Sequence, residues 1–256
     1  MGAAPSRHHL TDWATATGGL SAPNDTVVGD PPTVNPTKIT LAPKRAVMGQ
    51  TLPVIGQLIT TREYDVVDAT GMLIFTTQAY SKLESGFDLF RSDDDSNPIL
   101  RIGSNASNRT WSAFTAEPNF EGQKPEPNAS SKAGVDLYRK ATIVFVKGSE
   151  HHALVHIFYS LGDDDVNTVL TVERCKGEGI VDTHWHFQTS LPLKEGEDAA
   201  SQPLVGYWKW AGSNIPLMQD DKIEMELCKG SDLALHVILA IVSTIERASI
   251  KAEYSG

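Results

Sequence analysis

Residues 231–248 constrain the fold of this chain more than any other stretch. They read SDLALHVILAIVSTIERA, and from Leu233 to Val242 only His236 is polar. A helix here has no polar face, so it must be enclosed by protein or placed in a membrane. At about 1.5 Å per residue the run spans only about 24 Å, short of the ~30 Å of a hydrocarbon core. We expect a helix buried in the protein and no transmembrane span.

The start of this helix and its core side chains follow from the same stretch. Gly230, Ser231 and Asp232 precede the apolar run and supply capping residues. The apolar side chains that we expect to form the core of the helix are Leu233, Leu235, Val237, Ile238, Leu239, Ile241, Val242 and Ile245.

The chain upstream of the helix has the pattern of short strands. Residues 222–228 (KIEMELC) alternate apolar and charged side chains, which is typical of a half-buried strand. Residues 64–77 predict a hairpin in which Gly71 supplies a positive φ. About ten to twelve such segments at roughly regular spacing predict a mainly β chain, a barrel or sandwich filled by the helix.

The N-terminal region differs in composition. Residues 1–37 are rich in Pro, Thr, Gly and Ala, so we expect a disordered tail before a domain at residues 38–256. The opening MGAAPS fits the pattern for N-myristoylation of Gly2, although a chance match gives the same letters. A single acyl chain binds membranes only marginally, so a second contact would be needed.

The charge and the cysteines exclude several classes of protein. The net charge is −10, which opposes the nonspecific nucleic-acid binding that a basic field supports. Two cysteines without framework spacing exclude a disulfide scaffold and a zinc ribbon. Because the N-terminus has no apolar signal-peptide core, we expect a cytoplasmic protein, either free or peripheral at a membrane.

The candidate metal ligands are acidic or histidine side chains. Asp163, Asp165 and Asn167 occupy positions 1, 3 and 5 of a calcium-loop pattern, but Thr168 stands where the loop needs Gly. A solvated turn therefore remains the favoured interpretation, with calcium as the alternative and no other cofactor. His184 and His186 share one face of a predicted strand, a second metal hypothesis.

No catalytic signature stands out in the sequence. The chain has no nucleophile elbow, Walker loop or GxGxxG motif, so we expect a protein that is not an enzyme. An unrecognised hydrolase stays open as the residual alternative.

The order of the segments resembles the plant LURP-one-related family and its relatives, the phospholipid scramblases and tubby C-terminal domains. The hairpin from Tyr64 to Phe75, with Asp68 and Gly71, resembles the family's D-x-x-G hairpin. Further similarity lies in the next hairpin at residues 87–102, in a strand with Trp111 and in residues 221–235 before the apolar helix. The resemblance covers residues 45–250, and residues 117–134 are longer than the family pattern.

The resemblance implies a tubby-like antiparallel barrel of about twelve strands that encloses the C-terminal hydrophobic α-helix. Tubby-like domains are associated with phosphoinositide recognition by basic side chains, which makes Arg139, Lys140 and Lys147 candidate lipid-binding residues. Solvated charges flanking a strand are the alternative for these three. The expected function is a non-enzymatic module that binds phospholipid reversibly. A soluble protein-interaction or defence-related adaptor and a calcium-dependent scramblase-like protein remain alternatives.

Overall fold

The structure is a computed structural model that describes eleven segments of the chain. They are residues 10–17, 37–48, 60–80, 86–105, 110–126, 135–145, 153–158, 168–175, 186–190, 203–210 and 222–254.

Within these segments short strands precede one long helix. The strands are β1 (Thr37–Met48), β2 (Thr60–Asp68), β3 (Leu73–Ala79), β4 (Gly86–Arg91), β5 (Leu100–Asn105), β6 (Thr110–Thr115), β7 (Tyr138–Phe145), β8 (Ala153–Ile157), β9 (Thr168–Cys175), β10 (His186–Ser190), β11 (Leu204–Trp210) and β12 (Ile223–Leu227). The helices are α1 (Trp13–Thr17) and α2 (Leu233–Tyr254).

Each strand pairs antiparallel with its neighbours in the chain, and β1 also pairs with β12. Ile39 on β1 lies opposite Asp68 on β2 and opposite Met225 on β12. Hairpin connections of this kind place every second turn at the same end of the sheet. The β2–β3 turn and the start of α2 therefore lie at one end, which we call the α2 rim.

Helix α2 is buried against the sheet. Its predicted core side chains are buried from Leu233 to Val242, and Ile245 is partly buried against the same cluster. Contacts reach it from several strands: Trp111 Nε1 on β6 donates to Glu246 Oε1 at 2.7 Å, and Thr189 on β10 reaches His236. The mainly β fold with a C-terminal helix is confirmed. No helix in the described part of the chain is long and apolar enough to cross a membrane.

The predicted hairpin around Gly71 is also confirmed. β2 and β3 pair through Val66 and Phe75, and Gly71 has a φ of 86°. Glycine has no Cβ and therefore adopts this left-handed backbone conformation at little cost, which explains why a glycine stands at the turn.

The prediction of a disordered tail is wrong for residues 10–17. Asp12 Oδ1 accepts from the Thr15 amide at 2.9 Å and caps α1, and the Trp13 amide donates to Lys229 O at 3.0 Å. Trp13 is only 1% exposed. Burial of this large aromatic side chain, together with the backbone hydrogen bonds of the segment, offsets the conformational entropy lost when the segment is ordered. Residues 18–36 lie outside the described segments.

Candidate functional site

A buried polar cluster lies where α2 begins. Lys140 Nζ is 2.7 Å from Asp232 Oδ2, and the two side chains are 1% and 0% exposed. Asp232 Oδ1 also accepts from the Leu235 amide at 2.9 Å, so this carboxylate is the N-cap of α2 as well as the partner of Lys140. The ion pair thereby fixes the first turn of the helix against β7.

An irregularity in β7 turns Lys140 inward. The β6–β7 pairing joins Ala113 to Ala141 and then Phe114 to Arg139, so Lys140 is the extra residue of this step. A bulge shifts the alternation by one position and re-aims side chains. As a result Lys140 and Ala141, adjacent in sequence, are both buried.

His236 extends this cluster one turn further along α2. Its Nδ1 lies 2.8 Å from Asp232 O, and its Nε2 lies 3.2 Å from Thr189 Oγ1. A carbonyl oxygen only accepts, so we assign the ring proton to Nδ1, and Thr189 then donates to Nε2. Burial lowers the pKa of His236 below its usual value, which favours this neutral form.

The Thr189–His236 pair bears on the hydrolase alternative. A hydroxyl hydrogen-bonded to an imidazole is the arrangement that nucleophilic catalysis uses. Here both side chains are 0% exposed, so no substrate reaches the hydroxyl in this structure. The nearby Cys228 is also buried, and burial raises the pKa of its thiol to about 12, which keeps it protonated and unreactive at neutral pH.

Gly206 on β11 lets the sheet approach this pair. A Cβ on Gly206 would lie 2.6 Å from Thr189 Oγ1 and 2.7 Å from His236 Cδ2. We expect Gly206→Ala to lower the free energy of unfolding by about 1–3 kcal/mol, because the core has no room for the added methyl group. Gly103→Ala is the control, since its Cβ would meet nothing within 4 Å. Equal urea midpoints for the two variants would contradict this packing.

Trp13 covers the cluster from outside. Its ring meets the His236 ring edge to face, with centroids 6.1 Å apart and planes at 78°. The chain before it is held as well, because the Thr11 amide donates to Leu204 O at 2.7 Å. The N-terminal segment is thus held at the α2 rim, beside the first turn of α2. The signal that could have revealed it is a Trp directly after a capping Asp, in a segment otherwise poor in large apolar side chains.

The three predicted lipid-binding residues do not form an exposed cluster in the described part of the chain. Lys140 is buried against Asp232, so its assignment to a surface lipid site is wrong for this structure. Arg139 Nη2 lies 2.9 Å from Glu126 Oε1, and its guanidinium stands 5.8 Å from the centre of the Phe114 ring. Lys147 lies outside the described residues.

Arg139 helps to hold the β6–β7 connection in place. Its carbonyl oxygen accepts from Asn119 Nδ2 at 3.0 Å and from Gln123 Nε2 at 2.8 Å. The Glu126 amide donates to Leu137 O at 2.8 Å. These bonds hold residues 117–126, the described part of the long polar insertion, against the start of β7.

The other predicted sites fall outside the described side chains. Gly2, Asp163, Asp165, Asn167 and His184 lie in segments that the structure does not describe, as does the side chain of His186. Within the described segments no group of three or more His, Cys, Asp or Glu side chains lies close enough to hold a metal ion.

The α2 rim carries many acidic side chains. Hydrogen bonds from Thr15, Thr70 and Ser96 lower the pKa of Asp12, Asp68 and Asp94 respectively, so these three carboxylates stay ionised to more acidic pH than usual. The charged residues in the described part of this rim are Asp12, Asp68, Arg91, Asp93, Asp94, Asp95, Glu117, Glu121, Lys124, Glu126, Asp136, Arg139 and Lys229. Among these described residues acidic groups outnumber basic ones, so this part of the rim repels anions.

A solved structure is similar to this chain at low sequence identity. No protein-family model matches the chain, and no curated protein matches it. The chain is similar to an X-ray structure of a protein from Arabidopsis thaliana, with 16% sequence identity and a TM-score of 0.42. The alignment covers 86% of this chain and 97% of the Arabidopsis chain.

Proposed function

We propose that this chain is a non-enzymatic, tubby-like module that binds phospholipid membranes reversibly, assisted by an acyl chain on Gly2. In this proposal about twelve strands form a barrel around α2, as the sequence resemblance implies. The pairing of β1 with both β2 and β12 supports that architecture. The proposed location is cytoplasmic, with transient attachment to a membrane surface.

The observation that carries the proposal is the filled interior. From Leu233 to Val242 the helix is buried on every side, and the polar groups beside it are paired with one another. A ligand or partner would therefore contact the outer surface or the rims of the protein. A protein built in this way is suited to docking on a partner or a membrane.

The position of the N-terminal segment supports a role for Gly2. Leu10 is bridged to Leu204 at the α2 rim, and Gly2 precedes Leu10 by eight positions in the chain. At no more than ~3.6 Å per residue an acyl group on Gly2 stays within about 29 Å of that anchor. An acyl chain this close to the rim would hold the rim near the bilayer.

The soluble adaptor is the second candidate, and the acidity of the α2 rim favours it. Anionic lipids repel a rim rich in carboxylates, whereas a basic protein partner would be attracted. Phosphoinositide recognition would need basic groups other than Lys140. The calcium-dependent alternative rests on residues 163–167, outside the described segments.

Liposome co-sedimentation tests the proposal through Gly2. Protein co-expressed with an N-myristoyltransferase is expected to partition into phospholipid vesicles about tenfold or more above Gly2→Ala, because a single acyl chain supplies most of the marginal binding energy. The assay should include vesicles with and without phosphoinositide at two salt concentrations. Intact-protein mass measurement verifies the acylation.

Two results would separate the candidates. Failure of the acylated protein to bind any vesicle would overturn the membrane proposal and leave the soluble adaptor. If Gly2→Ala still binds vesicles, the acyl chain is not needed for binding, and the protein surface alone mediates it.

A further inference from the structure

Residues 10–17 bind to the sheet where the β11–β12 ladder ends. The last pair of that ladder at the α2 rim involves Gly206, although β11 begins two residues earlier, at Leu204. Leu10 forms a parallel bridge with Leu204, whose carbonyl accepts from the Thr11 amide at 2.7 Å. The segment therefore attaches by main-chain bonds beyond the ladder, in the way that an added peptide strand attaches to a sheet edge.

The side-chain contacts of the segment centre on Trp13. Trp13 is 1% exposed and Ala16 5% exposed. The Trp13 amide donates to Lys229 O at 3.0 Å, and its ring meets the His236 ring edge to face. A Cβ on Gly230 would lie 3.5 Å from the Trp13 Cβ, so the main chain passes close beneath the Trp. We call the site formed by Leu204, Lys229, Gly230 and His236 the Trp13 groove.

The residue before Trp13 is matched to the charge of the groove. Asp12 Oδ1 accepts from the Thr15 amide at 2.9 Å and caps the short helix that follows. Hydrogen bonds from Thr15 lower the pKa of Asp12, and the positive charge of Lys229 lowers it further. The groove thus holds an ionised carboxylate and a buried Trp at consecutive positions of one peptide.

The segment is tethered to the sheet and is not one of its strands. It precedes β1, and residues 18–36 connect the two. A ligand on such a tether competes with free peptides of the same pattern, at an effective concentration on the order of 1 mM. The contact seen within the chain therefore identifies the chemistry that the groove accepts.

We propose that the Trp13 groove is a peptide-recognition site, closed by residues 10–17, for a protein partner with an acidic residue directly before a Trp. Main-chain bonds to Leu204 and Lys229 suit any extended peptide, whereas the Trp and the acidic residue select the partner. The segment of the chain itself acts as an autoinhibitor, because a partner binds only by displacing it. This inference concerns a protein partner and does not depend on membrane binding.

Fluorescence anisotropy with a labelled synthetic peptide of residues 8–17 (HHLTDWATAT) tests the proposal. The receptor is the full-length chain with Trp13→Ala, in which the segment no longer competes well. A buried Trp corresponds to a ratio of docked to released segment of about 100. With the effective concentration of about 1 mM, the expected Kd of the free peptide is about 10 µM. The unsubstituted chain should bind it about 100-fold more weakly.

The control peptides and variants test the two selective contacts. The peptide with Trp13→Ala should show no binding at the same concentrations. Lys229→Ser in the receptor should weaken binding of the native peptide about twofold to fivefold but leave that of the Asp12→Asn peptide unchanged, because the charge pair is then already absent. Lys209→Ser is the matched control, since Lys209 Nζ lies 3.3 Å from Glu224 Oε2 on the neighbouring strand.

Thermal melting first verifies that each receptor folds. A folded Trp13→Ala chain that does not bind the peptide would overturn the inference, and so would equal binding by the unsubstituted chain. If Trp13→Ala does not melt cooperatively, Asp12→Ala replaces it, because this variant keeps the Trp and removes only the cap. Its Kd is expected to be about three- to tenfold lower than that of the unsubstituted chain. No vesicle is present, so failure here leaves the membrane proposal standing.

Discussion

Replacing Lys140 by Met is expected to lower the free energy of unfolding by about 3–5 kcal/mol. The substitution leaves the Asp232 carboxylate fully buried without its cationic partner, which is 2.7 Å away in the native protein. The loss is not merely that of one ion pair, because Asp232 also caps the first turn of α2. Urea unfolding followed by circular dichroism measures it.

Two further variants separate the buried pair from general effects of charge. Lys140→Met combined with Asp232→Asn should recover part of the lost stability, because the unpaired charge is removed together with its partner. Lys38→Met is the matched control: Lys38 Nζ lies 3.7 Å from Glu226 Oε1, but the two side chains are 69% and 43% exposed. A pair so well solvated contributes only about 0–1 kcal/mol. Equal effects of Lys140→Met and Lys38→Met would contradict the burial of the Lys140 side chain.

Replacing Trp13 by Ala is expected to cost about 3 kcal/mol of stability, the lower end of the range for a buried Trp. The lower end applies because residues 10–17 precede β1 and belong to none of the strands, so they can leave their site without unfolding the sheet. Release would uncover the first turn of α2, including His236, which the Trp13 ring contacts. Hydrogen exchange should then speed up both at residues 10–17 and around Asp232.

Trp13→Phe is the control for this prediction. It keeps an aromatic ring at the site and should lose much less stability than Trp13→Ala, because a smaller cavity is left. If the urea midpoint and the exchange rates of Trp13→Ala match those of the unsubstituted protein, the segment does not dock at the α2 rim in solution.

The buried helix was predictable because its signal is local and strong. Ten consecutive positions from Leu233 offer one polar side chain, so no arrangement with a solvated face is available. The hairpin at Gly71 was predictable for a similar reason, since the turn needs a positive φ that glycine adopts readily. The alternation in β12 predicted its half-buried state, and its side chains are buried at Ile223, Met225 and Leu227.

The candidate site was only partly predictable. The sequence required a partner for His236 inside the protein, but nothing in it indicated that Thr189, 47 residues earlier, would be that partner. Whether two residues so far apart in sequence come into contact depends on strand order and register. Local sequence patterns do not reveal either of these.

By itself the sequence determined a mainly β chain, a turn at Gly71 and an apolar C-terminal helix that must be enclosed. Only the tertiary structure decided the roles of Lys140 and Trp13. Adjacent basic residues at the start of a strand indicate a solvated surface, but the irregularity opposite Ala113 and Phe114 turns Lys140 to Asp232. Trp13 sits in a stretch without periodicity, yet it is buried because α2 and β11 leave it an apolar site. Local patterns report which side chains avoid water, whereas the pairing of distant strands decides which buried charges and rings meet.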